Sequence, residues 1–220
     1  MTGFAPNHWG LNWVGVIIER DIIVNFIKSV CLPLARAIDR FNEAVGRWVA
    51  WLAIVMALVQ FSVVVGRYVF NAGSTAAQES IWYMHGLIFM LGAGYTLLHD
   101  GHVRVDVYYR EASPKRKALI DGLGAVLFLI PLCVLTIYLS WSYVFNAWYN
   151  SYSGTWVLEG STEGSGLPLI FALKTAIPVF AVLLGLQGLS MLIKAGAYLT
   201  GAVDQYSVGT PAAPDHIGGA

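Results

Sequence analysis

Four stretches of this chain contain no Asp, Glu, Lys or Arg, and they decide what it can fold into. They run over 48–66, 80–99, 122–158 and 175–193, lengths of 19, 20, 37 and 19 residues. A helix needs about 20 mostly apolar residues to cross a hydrocarbon core of roughly 30 Å. The windows therefore predict an all-α integral membrane protein with four transmembrane helices, at about 47–69, 78–98, 118–148 and 167–195. Charged residues are 12% of the chain and hydrophobic ones 57%, whereas soluble domains carry about 25% charge. The 13 basic and 13 acidic residues cancel, so no net field draws in nucleic acid.

Residues 1–46 precede the first span. Trp9 and Trp13 lie in an apolar stretch of a kind that favours a membrane interface. No basic n-region is present and Glu19, Arg20 and Asp21 interrupt the apolar run, so a cleaved signal is not expected. From Arg20 to about Arg47 the pattern is helical and two-sided. Ile22, Ile23, Phe26, Ile27, Val30, Leu34, Ile38, Phe41 and Val45 share one half of the helical wheel. Asp21, Asn25, Lys28, Arg36, Asp39, Arg40, Glu43 and Arg47 share the other. Such an amphipathic helix lies in the interface plane or packs on a soluble partner domain. Pro33 is expected to kink it or split it in two, because proline removes a donor and clashes with the preceding turn.

Asn71–Ser74 reads as a turn, and Ser113-Pro114 as the start of the third helix, with Pro131 predicting a kink in its middle. The Gly-, Ala- and Pro-rich residues 201–220 are expected to form a disordered tail after the membrane domain, 47–200. Cys31 and Cys133 have apolar neighbours and no metal or redox spacing, which makes them small hydrophobes. Orientation follows from the basic residues. Arg20, Lys28, Arg36, Arg40 and Arg47 precede the first span, and Arg104, Arg110, Lys115, Arg116 and Lys117 lie between the second and third. The 149–167 loop has none, only Glu159 and Glu163. Both termini and the 99–117 loop are thus expected in the cytoplasm.

Residues able to carry chemistry are few. His85 and His99 share the second span but lie 14 residues apart, about 21 Å along a helix, so they cannot be the two axial ligands of one haem. His99, Asp100, His102 and Asp106 cluster at a span end, with ligand types that suit zinc or iron; polar residues are equally expected at any span end. No metal, cofactor or catalytic residue is assigned, because no Cys-His pair, nucleophile elbow or glycine-rich phosphate loop is present. Arg67 and Glu79 flank the first turn and are a candidate pair, worth about 0–1 kcal/mol at an exposed end. Lys174 lies about 10 Å into the fourth helix. It either snorkels to the surface or pairs with Glu159, Glu163 or another subunit. An ion path would need several intramembrane carboxylates, and the windows hold none. Gly86, Gly92, Ala93 and Gly94 smooth one face of the second span, and Gly185, Gln187 and Gly188 one face of the fourth.

Gly66-Arg67-Tyr68-Val69-Phe70-Asn71, Gln78-Glu79, Leu91-Gly92-Ala93-Gly94-Tyr95 and His102-Val103-Arg104-Val105-Asp106 follow one another in an order that is specific as a set. With Pro131, Glu159-Gly160-Ser161 and Gly166-Leu167-Pro168, the chain over about 47–195 resembles the small membrane subunit (the Q subunit) of tripartite ATP-independent periplasmic (TRAP) transporters. It looks most like the longer small subunits of the branch associated with mannitol, chloroaromatic and other organic acid substrates. It departs at 72–77, where Ala72-Gly73-Ser74-Thr75-Ala76-Ala77 replaces the tryptophan often seen before the glutamate.

The resemblance implies a multi-pass scaffold of the bacterial inner membrane that is not an enzyme. Its implied partners are a large membrane subunit, which binds sodium and substrate, and a periplasmic protein that delivers an organic acid. Arg67, Glu79, His102, Arg104, Asp106, Glu159 and Lys174 are then candidates for structural or subunit-interface roles. Two rival readings stand beside it: a metal- or haem-binding electron-transfer subunit using His99, His102 and Asp106, and a self-contained small carrier.

Overall fold

The computed structural model describes residues 20–102, 109, 111–149 and 153–208. They form four long helices: α1 Arg20–Val69, α2 Thr75–Leu98, α3 Pro114–Trp148 and α4 Ile170–Leu199. With 24 to 50 residues each, they run about 36–75 Å at 1.5 Å per residue, enough to cross a bilayer. The spans therefore occupy parts of longer rods, most of all in α1 and α3.

Local chemistry sets the helix ends. α1 stops where Asn71 takes the left-handed conformation (φ 51°) and the Ala72 amide turns back to the Gly66 carbonyl at 2.9 Å. Ser74 then caps α2, its Oγ accepting from the Ala77 amide at 3.3 Å. α2 ends in the same manner, with Asp100 at φ 55° and the Gly101 amide on the Thr96 carbonyl. Pro114 opens α3 as its sequence suggests, although the Ser113 hydroxyl makes no capping bond.

Of the two outcomes expected at Pro33, a kink or a split, the split does not occur. Pro33 neither splits nor ends the first helix, which runs unbroken from Arg20 to Val69 with no loop between the amphipathic segment and the span. One wide π-helical turn, Ile27–Cys31, precedes the proline, and the Leu32 amide reaches back five residues to the Ile27 carbonyl. α3 repeats the device, with a π turn at Ala125–Leu129, the Ile130 amide on the Ala125 carbonyl, and Pro131 next. A widened turn re-partners backbone groups that the missing proline donor would leave open, so the helix continues. In α3 it also corrects register. The buried positions Ala118, Ala125, Cys133, Ser140 and Ala147 are spaced by seven, eight, seven and seven residues. The extra residue falls inside the π turn, and one buried stripe is kept along the whole helix.

α4 is the centre of the bundle and packs against α1, α2 and α3, while α1 also packs on α2. The core joins Leu97 of α2, Ala125 and Cys133 of α3, and Ala181, Leu184 and Met191 of α4. Small residues dominate the contacts, as expected where lipid is the alternative and close van der Waals approach drives association. Gly94 shows this directly. A Cβ there would lie 2.6 Å from Asn42 Oδ1 and 3.2 Å from the Leu183 carbonyl. The smooth face of the second span therefore meets α1 and α4 of this chain.

Two sequence expectations are revised. The segment before the first span is amphipathic, but part of its polar stripe turns inward. Asp39 and Asn42 are buried, whereas Ile22, Phe26, Val30, Leu34 and Phe41 are exposed. In a membrane that arrangement is favourable, since lipid is apolar and the polar groups find partners inside. The second concerns the start of the expected disordered tail. Residues 201–208 fold back on the bundle and bury Ala202 and Val208. Tyr206 Oη donates to Asp121 Oδ2 at 2.7 Å, and Lys194 Nζ to the Val208 carbonyl at 2.9 Å. The rest of that tail, 209–220, lies outside the described residues.

Candidate functional site

The polar side chains gather at the two ends of the bundle. One end carries the 71–74 turn and the 153–169 loop; the other carries the α2–α3 connection and residues 201–208.

At the second end a buried polar clamp joins α1 to α4. Asp39 and Lys194 form an ion pair at 2.7 Å, both largely shielded. Asp39 Oδ1 accepts from Ser190 Oγ at 2.7 Å and from Gln187 Nε2 at 3.1 Å. Asn42 Nδ2 donates to Gln187 Oε1 at 2.8 Å. Asn42, Gln187 and Ser190 are at most 1% exposed, so these bonds must be made within the protein. Asn42 Oδ1 has no hydrogen-bond partner among the described residues and faces Gly94. Beside the clamp, Glu43 Oε2 sits 2.7 Å from His99 Nε2 and ties α1 to the end of α2.

At the first end Glu79 is the anchor. It is buried in the second turn of α2, where its Oε1 accepts from Ser161 Oγ and its Oε2 from the Leu167 amide at 2.6 Å. Glu79 thereby pins the 159–168 segment over the start of α2. Gly166 permits it, because a Cβ there would collide with both Ser161 Oγ and Glu79 Oε1. Nearby, Lys174 Nζ pairs with Glu159 Oε2 at 2.5 Å and lies 4.1 Å from the Tyr143 ring centroid. That contact joins the loop, α3 and α4, with a cation–π term added to the charge pair. Trp148 reinforces it, its Nε1 donating to Thr175 Oγ1 at 2.8 Å and its ring meeting Phe171 edge-on.

The structure thus brings together Glu159 and Lys174, and it separates Arg67 from Glu79. The hairpin pair is corrected: Glu79 is buried and engaged by the loop, whereas Arg67 is exposed at the end of α1 with no carboxylate within ion-pair distance among the described residues. His102 is exposed. Arg104 and Asp106 lie outside the described residues. His99 is taken up by Glu43 rather than shared with other ligand types, and no group of three candidate metal ligands occurs among the described residues.

Sequence reasoning missed the clamp. Asp39 falls on the polar half of the helical wheel and Lys194 just beyond the last charge-free window, and neither position by itself points to the other. The signal was present as spacing: Gln187, Ser190 and Lys194 fall at i, i+3 and i+7 on one face, and Asp39, Asn42 and Gly46 repeat it on α1. Two polar stripes of that period in a membrane protein have to find each other.

Among the described residues, these polar constellations join one element to another. Comparison with known proteins identifies the family. The family model described as "Tripartite ATP-independent periplasmic transporters, DctQ component" matches residues 56–196. The small permease protein DctQ of a C4-dicarboxylate TRAP transporter from Vibrio cholerae serotype O1 (strain ATCC 39315 / El Tor Inaba N16961) is 26% identical over 194 residues. The similarity covers 81% of each chain. No solved structure matches. With four membrane-long helices, polar joints at both ends and a family match over most of its length, this chain belongs to the DctQ family of TRAP transporter small permease subunits.

Proposed function

We propose that this chain is the fixed frame of its transporter: it braces the large membrane subunit, which holds the sodium and substrate sites and moves during uptake of an organic acid. The chain is a small TRAP permease subunit, a multi-pass inner-membrane protein and not an enzyme. One observation carries the frame reading. The four apolar windows contain no Asp, Glu, Lys or Arg, so apart from His85 the middle of the membrane offers none of the linked ionisable side chains that mark ion and substrate paths. The buried polar groups instead fasten this chain to itself. A carboxylate substrate is supported by the name of the Vibrio cholerae relative, which specifies C4-dicarboxylates.

In this reading the end with Arg20–Arg47 and the α2–α3 connection faces the cytoplasm, because its flanking segments carry the basic residues. The 153–169 loop faces the periplasm, where the binding protein delivers its cargo. Trp156, Val157 and Leu158 are exposed on that loop and give a docking protein apolar area. Glu79, Glu159 and Lys174 hold the loop in shape, and Arg104 and Asp106 organise the opposite turn. Affinity-tagged chain purified from its native membrane is the test. It is expected to bring down a large membrane subunit in fixed proportion, and Glu79→Ala to lower the yield several-fold. A chain that purifies without such a subunit contradicts the reading.

A further inference from the structure

A cationic cleft between the first two helices has a place and chemistry that suit a membrane lipid. The cleft lies between the end of α1 and the start of α2, has a volume of about 330 Å³, and is lined among others by Gln60, Val63, Arg67, Tyr68, Gln78 and Trp82. Arg67 has no acidic partner among the described residues, so its planar fork of donors is available to an outside anion. Gln60 and Gln78 add amide donors to the same cleft. Tyr68 and Trp82 are 82% and 71% exposed, amphipathic rings of the type that gathers at headgroup depth. From the cleft toward the membrane centre, Val64, Ala57 and Ala53 continue the same side of α1 as an exposed apolar strip, uncovered among the described residues.

We infer that this cleft is a phospholipid site, in which Arg67 holds the phosphodiester, the two glutamine amides support it, and an acyl chain lies along the α1 strip. Each part has its own physical reason. A guanidinium at the edge of hydrocarbon is costly without a counter-charge, and a phosphate oxygen pair matches it bidentately. The strip supplies what a free phosphate ion would not use. A carboxylate from another protein chain would satisfy Arg67 as well, but it would leave the continuous apolar strip without a role.

The test uses native mass spectrometry of the chain purified with its large subunit in detergent, depleted of lipid and titrated with dioleoyl phosphatidylglycerol. Wild type is expected to take up a lipid that Arg67→Gln binds roughly tenfold to a hundredfold more weakly, as loss of a charge-assisted contact implies. Arg67→Lys should retain part of the affinity, and Arg36→Gln at the opposite end should retain all of it. Inorganic phosphate should not displace the lipid. Equal lipid uptake by wild type and Arg67→Gln overturns the inference, as does displacement by inorganic phosphate. Loss of the large subunit from Arg67→Gln with lipid uptake unchanged overturns it too, and assigns Arg67 to a protein carboxylate.

Discussion

At the residue scale, the most consequential side chains are those that the charge map treats as incidental. Asp39 and Lys194 are an ion pair in a shielded site, with Ser190 and Gln187 satisfying the carboxylate further. Removing one member of such a pair leaves a buried charge without compensation, which costs about 3–5 kcal/mol. Asp39→Ala is therefore expected to lower the thermal stability of the purified protein in detergent by that order. Adding Lys194→Met should recover more than half of the loss, because the orphaned charge goes with it. If the double variant is no more stable than Asp39→Ala, the clamp does not work as a charge pair. The sequence hid this clamp for a physical reason: a helical wheel shows that Asp39 is polar, not which medium lies against it. Glu79 was readable as important from its position, but its partners come from a loop more than 80 residues away.

At the element scale, the four expected spans overlap the four long helices, and the first helix runs on through Pro33. The expected third span, 118–148, falls inside α3, Pro114–Trp148. A kink or split is expected at Pro33 and a kink at Pro131; in both helices a π turn precedes the proline and the rod continues. In α3 that turn also absorbs the one-residue excess in the buried stripe. Deleting Phe128 together with Pro131→Ala removes both the extra residue and the reason for the wide turn, so the bundle should keep its stability to within about 1–2 kcal/mol. Deleting Val144 instead rotates the last buried position, Ala147, by about 100° relative to α4, and should lower the melting temperature markedly. Melting of the two deletion variants in detergent checks this; equal behaviour would mean that the π turn has no register function.

At the scale of the whole molecule, the missing charges and the placement of the present ones describe one object. α1 beyond Val49 and most of α3 expose large apolar side chains such as Trp51, Leu58, Phe61, Leu127, Phe128 and Leu139. A soluble protein could not leave such faces open, while a membrane subunit has lipid and a partner to cover them. The family could be recognised from ordered motifs between residues 66 and 168, and the fold class from four windows. The internal joints were legible only in part, because long-range pairing depends on which faces meet. The central claim is that this chain frames transport without carrying it. Sodium-driven uptake of organic acid into proteoliposomes, with the binding protein supplied outside, tests it most directly. The account expects uptake when this chain and the large subunit are reconstituted together, and none from this chain alone or the large subunit alone. Full uptake by the large subunit alone, or any uptake by this chain alone, would contradict it.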